Sequence, residues 1–158
     1  PVIISIALFM TFYVMTPTWV NVYNNSIIPY QNNEITQEVA LQQGIKPFRT
    51  FMLKYTRQQD HALFIEFSKI PTVTNVEKVP IYVLIPAFMI SELKTAFQIG
   101  FMLFIPFIVI DLVVSNILLS LGMFMLSPVM ISLPFKILLF VLVDGWNLIT
   151  KGLLNGFQ

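Results

Sequence analysis

The 158-residue sequence contains no cysteine. Disulfides, thiolate metal sites and cysteine nucleophiles are excluded together, and the redox compartment stays open. Histidine is almost as scarce. His61 stands alone, which rules out a metal site built from several imidazoles of one chain, and its setting in QQDHALF predicts an exposed place at the start of a helix. Charged residues make up 11% of the chain, whereas an ordinary soluble domain carries about 25%. The formal net charge is +1, so there is neither a basic field to hold nucleic acid nor an acidic tail. No glycine-rich phosphate loop, H-E-x-x-H or G-x-S-x-G occurs, and no serine has a His or Lys base at a suggestive spacing. The sequence therefore predicts no enzyme, no cofactor and no metal.

What is present is apolar. Hydrophobic residues reach 56%, with a mean hydropathy of +0.79, which predicts an all-α integral membrane protein. The chain opens on Pro1 inside an apolar run with no initiator Met, and is expected to be a fragment or processed product. Residues 2–20, VIISIALFMTFYVMTPTWV, carry no charge and fit the roughly 17–25 residues of a span. The run lacks a basic leader and an A-x-A-like cleavage site, so it reads as a spanning helix cut at its start rather than a signal peptide. Trp19 and Tyr23 close it as interfacial aromatics. The hydrophobic helix is assigned to residues 1–23. The stretch NVYNNSIIPYQNN, with Tyr30 inside it, reads as loop.

Residues 24–78 are different material and hold most of the charge: Lys46, Arg49, Lys54, Arg57, Lys69 and Lys78 against Glu34, Glu38, Asp60, Glu66 and Glu77. Three short amphipathic helices are expected. The first, in ITQEVALQQG, stops at Gly44; the second opens at Pro47. In the second, Phe48, Phe51, Met52 and Tyr55 fall on one stripe. The third is capped by Asp60, carries Leu63, Phe64, Phe67 and Ile70 on one face, and is stopped by Pro71. Together they form a small helical extramembrane domain between the first helix and a C-terminal hairpin.

From residue 79 to 158 the chain is apolar again and reads as a hydrophobic helical hairpin, broken in LSLGMFMLSPVM by Gly122 and Ser127-Pro128. Pro128 suits the first turn of the returning helix, where its missing N–H is an orphan donor anyway. Pro86, Pro106 and Pro134 lie inside helical runs, and each frees a carbonyl that neighbouring helices or water must satisfy. Glu92, Lys94, Asp111, Lys136 and Asp144 are the charges within residues 79–149. A charge at the centre of a membrane helix costs roughly 2.5–3.5 kcal/mol, so each needs a partner or a wet surface. Glu92 and Lys94 are two apart and cannot meet on one helix face, so they are expected to reach other chains. Asp111 and Lys136 lie on opposite arms of the hairpin, where they can pair. Inter-subunit or buried salt bridges are the favoured reading of the five. A proton relay in a proton-coupled transporter subunit, built on Glu92, Asp111 and Asp144, is the alternative. Met123, Phe124 and Met125 occupy the break, and adaptable methionine on a loop suits either a filler role or a soft ring around an axis.

The blocks ELKTAFQIGF, IPFIVIDLVV, LGMFMLSP and SLPFKILLFVLVDGW, in that order, closely resemble the C-terminal half of the FliP family of flagellar type III export-gate proteins. PFRTFMLKYTRQQDHALF resembles the flagellar branch over its injectisome relatives. The resemblance implies a subunit that assembles with further copies of itself, FliQ and FliR into a pore for unfolded flagellar export substrates, with FlhB and FlhA completing the apparatus. It implies a gate loop near residues 122–128, with Met123 and Met125 in a gasket and Phe124 where many members carry Met. It also implies residence in the bacterial cytoplasmic (inner) membrane, within the flagellar basal body, with residues 24–78 on the periplasmic side. The six basic residues of that segment lean the other way by the positive-inside rule, which weakens over a folded domain carrying five acids.

Overall fold

The computed structural model describes residues 1–68 and 79–157, and all of its regular structure is helical. Two units are distinct, Pro1–Leu93 and Lys94–Gln158. Two helical stretches, Val2–Gln31 and Ile81–Ser120, are long and apolar enough to cross a membrane.

The first unit opens with α1 (Val2–Val22), a helix whose apolar residues lie on every side. Such a helix belongs in lipid or among other helices. Its few hydroxyls are turned onto its own backbone: Ser5 to the Pro1 carbonyl at 3.1 Å, Thr11 to Ala7 at 2.8 Å and Thr16 to Phe12 at 2.9 Å. This back-bonding hides donors that apolar surroundings would leave unsatisfied. The stretch expected as loop is helical instead. A π-helical turn (Tyr23–Ile27) runs on into α2 (Ile28–Gln31). Pro29 explains the widened turn, because in an α-turn its ring would press on the Asn25 carbonyl four residues back. The chain leaves α2 through Asn33, whose φ of 58° is the left-handed geometry that Asn tolerates at a helix end.

A single helix, α3 (Gln37–Tyr55), replaces the two expected on either side of Gly44 and Pro47. Its residues pack across onto α1: the Trp19 and Phe48 rings meet edge to face at 5.2 Å. The α3 stripe continues with Met52 buried, and with Phe51 against Tyr55 at 4.9 Å and against Phe88 at 5.9 Å. Helix α4 (Gln58–Phe67) follows; its cap position is Arg57, and Asp60 lies in the first turn rather than capping it. Asp60 is buried there, at the positive end of the helix dipole. Ile70 and Pro71, expected to finish this helix, lie outside the described residues.

Helix α5 (Ile81–Ser120) gives its residues up to Leu93 to this unit. Val83, Leu84, Ala87 and Ser91 are buried. Ser91 Oγ accepts the Arg57 amide at 3.0 Å and donates to the Tyr55 carbonyl at 3.3 Å, stapling the α3–α4 turn to α5. Arg49 donates to the Val79 carbonyl. At 40 residues, α5 is about 60 Å long, roughly twice the hydrocarbon thickness of a bilayer. Its first turns are the part met by α3 and by the α3–α4 turn.

Two outcomes follow from this packing. Phe51→Ala removes the ring shared by Tyr55 and Phe88 and should cost about 1.5–3 kcal/mol, read as reduced yield of assembled complex. Unchanged yield would show the stripe to be dispensable. His61, expected at the surface, is half-buried, and its Nε2 is enclosed without a hydrogen-bond partner. Burial holds its pKa below the ordinary value of 6.5. Because the folded state resists protonation that the unfolded chain accepts, stability is full above 6.5 and is lost as pH falls below it towards the depressed folded value. The thermal midpoint of purified protein should be lower at about pH 5.5 than at about pH 7.5, and less so for His61→Gln.

The second unit holds the rest of α5, from Lys94 on, together with α6 (Pro128–Leu142) and α7 (Gly145–Asn155). Pro106 and Pro134 sit inside their helices, and Pro128 takes the first turn of α6. The return arm is itself broken: α6 and α7 differ in direction by 61°. Asp144 turns the chain there with φ 49° and ψ 56°, left-handed values rare outside glycine. Gly145 follows under the Phe140 ring, where an added Cβ would lie 2.3 Å from Cε2, and Phe140 meets Trp146 edge to face at 5.5 Å. Few apolar side chains of either unit are enclosed. Phe9, Phe12, Phe97, Phe101, Met130 and Leu142 are among the many large ones left open. Exposure on that scale calls for lipid or other subunits as cover.

Candidate functional site

The hairpin of the second unit is closed by a loop from Leu121 to Ser127, and its shape follows from a few backbone bonds. Helix α5 ends in a Schellman motif. The Gly122 amide bonds the Leu119 carbonyl at 3.1 Å and the Met123 amide bonds the Leu118 carbonyl at 2.9 Å. Gly122 has φ +71°, a conformation that a side chain would strain. A further amide bond from Leu126 to the Met123 carbonyl, at 3.4 Å, turns the chain towards Ser127 and Pro128. The side chains between are presented outward: Met123 is 42% exposed, Phe124 76% and Met125 99%. Three large apolar groups thus stand on a rigidly terminated loop with no helix face of their own to cover them.

Below the loop the two arms are joined by a polar cluster. Lys136 Nζ meets Asp111 Oδ2 at 2.7 Å, and the Ser132 hydroxyl donates to Asp111 Oδ1. Ser132 and Lys136 are four apart on α6 and share a face. Ser132 is fully buried. Counting from the helix ends at 1.5 Å per residue, the backbone positions of the cluster lie about 6–14 Å from the loop. Both carboxylate oxygens are engaged, so Asp111 acts as a clamp between the arms. The pairing of Asp111 with Lys136 was legible from their opposite places on the hairpin. Ser132 was missed, although its i, i+4 spacing to Lys136 is the signal that would have found it.

The other charges do not join this cluster. Glu92 is half-buried beside Ser91, within electrostatic reach of Arg57 in the first unit. Lys94 is exposed at the start of the second. Asp144 is exposed and makes no side-chain cap bond; it forms the left-handed turn between α6 and α7. The Asp-Gly dipeptide is a turn signal that marks this break in the sequence. Among the described residues no group of three or more His, Asp or Glu side chains is placed to hold a metal ion.

Comparison with known proteins gives this arrangement a family. The family model described as "FliP family" matches residues 1–153. The flagellar biosynthetic protein FliP of Bacillus subtilis is 53% identical over 156 residues, covering 99% of this chain and 71% of its own length. The protein of the same name from Pectobacterium carotovorum is 51% identical over 156 residues, again 99% of this chain and 60% of its own. That of Buchnera aphidicola from Baizongia pistaciae is 47% identical over 156 residues, 99% of this chain and 43% of its own. The chain thus spans between about two fifths and seven tenths of these relatives. With a family model covering almost its whole length and relatives near half identity, this chain belongs to the FliP family.

Proposed function

We propose that this chain is a subunit of the flagellar type III protein export gate, a non-enzymatic part of a pore through which unfolded flagellar proteins leave the cell. The observation that carries the reading is the loop of Met123, Phe124 and Met125, held out by a fixed helix end and braced by the Asp111–Ser132–Lys136 clamp. A single chain has no use for such a loop. Several copies around an axis would bring these side chains together as an apolar ring, which excludes water and ions by dewetting yet deforms around a passing chain. The relatives' shared name, flagellar biosynthetic protein FliP, supports the flagellar part of the reading. Its partners are further copies of this chain, FliQ and FliR, with FlhB and FlhA around them. The complex resides in the bacterial inner membrane with residues 24–78 on the periplasmic side, between the hydrophobic helix of residues 1–23 and the hairpin of residues 79–158. Glu92 and Lys94 serve contacts between subunits.

The absence of cysteine makes a direct test simple. With Met125→Cys as the only cysteine of these 158 residues, mild oxidation of assembled complex should link neighbouring copies through the loop. No cross-linked dimer in complex of normal size would place the loops apart and remove the ring.

A further inference from the structure

The junction between α1 and α3 carries an arrangement that the export reading does not use. Ser26, in the π-helical turn, is buried, and its hydroxyl donates to the Ala40 carbonyl at 2.6 Å. That carbonyl already accepts the helical bond from Gly44, so the hydroxyl is its second donor. Gly44 lies directly over the same hydroxyl: a Cβ there would stand 3.2 Å from Ser26 Oγ and 3.9 Å from Val22 Cγ1. The glycine expected to stop a helix instead gives the turn room to approach.

The covered side of α1 is marked by Val14, Thr18 and Val22, spaced by four. The same spacing of four leads on from Val22 to Ser26. Ser26 itself lies in the wider turn, in which the Ile28 amide reaches back five residues to Tyr23, and Asn24 and Asn25 beside it are exposed. We propose that Ser26 and Gly44 form a latch that fixes the rotational setting of the apolar helix α1 on α3. They are positioning residues. What they position is the face that α1 turns outward, with Phe9, Phe12 and Tyr13 open on it, and therefore what lipid or neighbouring subunits meet. The trade is steric as well as polar: a bulkier residue at 44 must displace a hydroxyl that is held by its bond, and loss of the hydroxyl frees the turn to rotate.

The test uses the full chain in membranes, with a reporter cysteine pair in an otherwise thiol-free background. Trp19→Cys with Phe48→Cys replaces two rings that now touch, and a short thiol cross-linker should join them efficiently. Ser26→Gly and Gly44→Ser should each lower that yield by roughly fivefold, the loss expected when one buried hydroxyl bond is removed or displaced. The cross-link to position 48 should move to a neighbouring α1 position, read with Val20→Cys or Tyr23→Cys. The combined Ser26→Gly/Gly44→Ser change returns the volume, and its hydroxyl can bond the Ala40 carbonyl from within α3 as an i to i−4 contact. It should restore the 19–48 cross-link to near the parent yield. Ser26→Ala, which keeps a good helix former, should shift the pattern in the same direction. Unchanged 19–48 yield in the single variants would overturn the latch. So would loss with no new partner and no restoration by the combined change, because that is loosening rather than rotation.

Discussion

Lys136→Met should lower the amount of assembled complex by roughly tenfold or more, because it leaves the Asp111 carboxylate in an apolar hairpin with only the Ser132 hydroxyl. Asp111→Asn should do comparable harm by stranding the ammonium. The harm arises from the charge left behind rather than from the net worth of the pair. Removing both charges, as Asp111→Asn with Lys136→Met, should therefore assemble better than either single change, since Asn keeps a group for Ser132 to bond. A double change worse than both singles would contradict this account. The same variants separate assembly from proton transfer. If Asp111→Asn assembled normally yet abolished export, the carboxylate would be acting in a relay and the clamp would be incidental. Complex yield by size-exclusion chromatography and export measured on the same cells keep the two outcomes apart.

The hairpin was largely legible in the sequence, and the reasons are local. Gly122 and Ser127-Pro128 punctuate an apolar run, and each acts through its own backbone: glycine by adopting φ +71°, proline by lacking a donor where none is needed. The i, i+3, i+4 stripe of Phe48, Phe51 and Met52 was equally plain, because helical periodicity survives whatever the stripe packs against. The misreadings came where tertiary contact overrides local preference. Gly44 and Pro47 look like a stop and a start, yet α3 runs through both. Gly44 gives room for the approach of Ser26, a relation over 18 positions that no local pattern announces. The YNNSIIPY stretch looks like loop because polar residues and a proline cluster there. A π-turn accommodates the proline without ending the helix. The break at Asp144 was missed because the flanking run is apolar throughout, and a left-handed aspartate leaves only the weak Asp-Gly signal. His61 reads as exposed from its polar neighbours, whereas its Nε2 is enclosed in the folded chain. In the candidate site, the loop position of Met123, Phe124 and Met125 is legible because they follow a helix-ending glycine. Ser132 is marked in the sequence only by its i, i+4 spacing to Lys136.

Shortening Met123 and Met125 together to Ala should open the closed pore without preventing its assembly. Both side chains stand out from the loop and neither is needed for the Schellman bonds, which are made by backbone amides. An alanine ring would be wider and less deformable, and its dewetted barrier weaker. Phe124 remains in the double variant as a bulky but rigid group, so the leak should be of ions and small solutes before export itself fails. Phe124→Met, by restoring a flexible chain at the middle position, should leave the barrier intact. The most direct measurement is ion conductance across membranes containing assembled complex, wild type against Met123→Ala/Met125→Ala. The account predicts conductance at least several-fold above wild type at equal complex content. Conductance at the wild-type level in a normally assembled double variant would contradict it and put the constriction elsewhere.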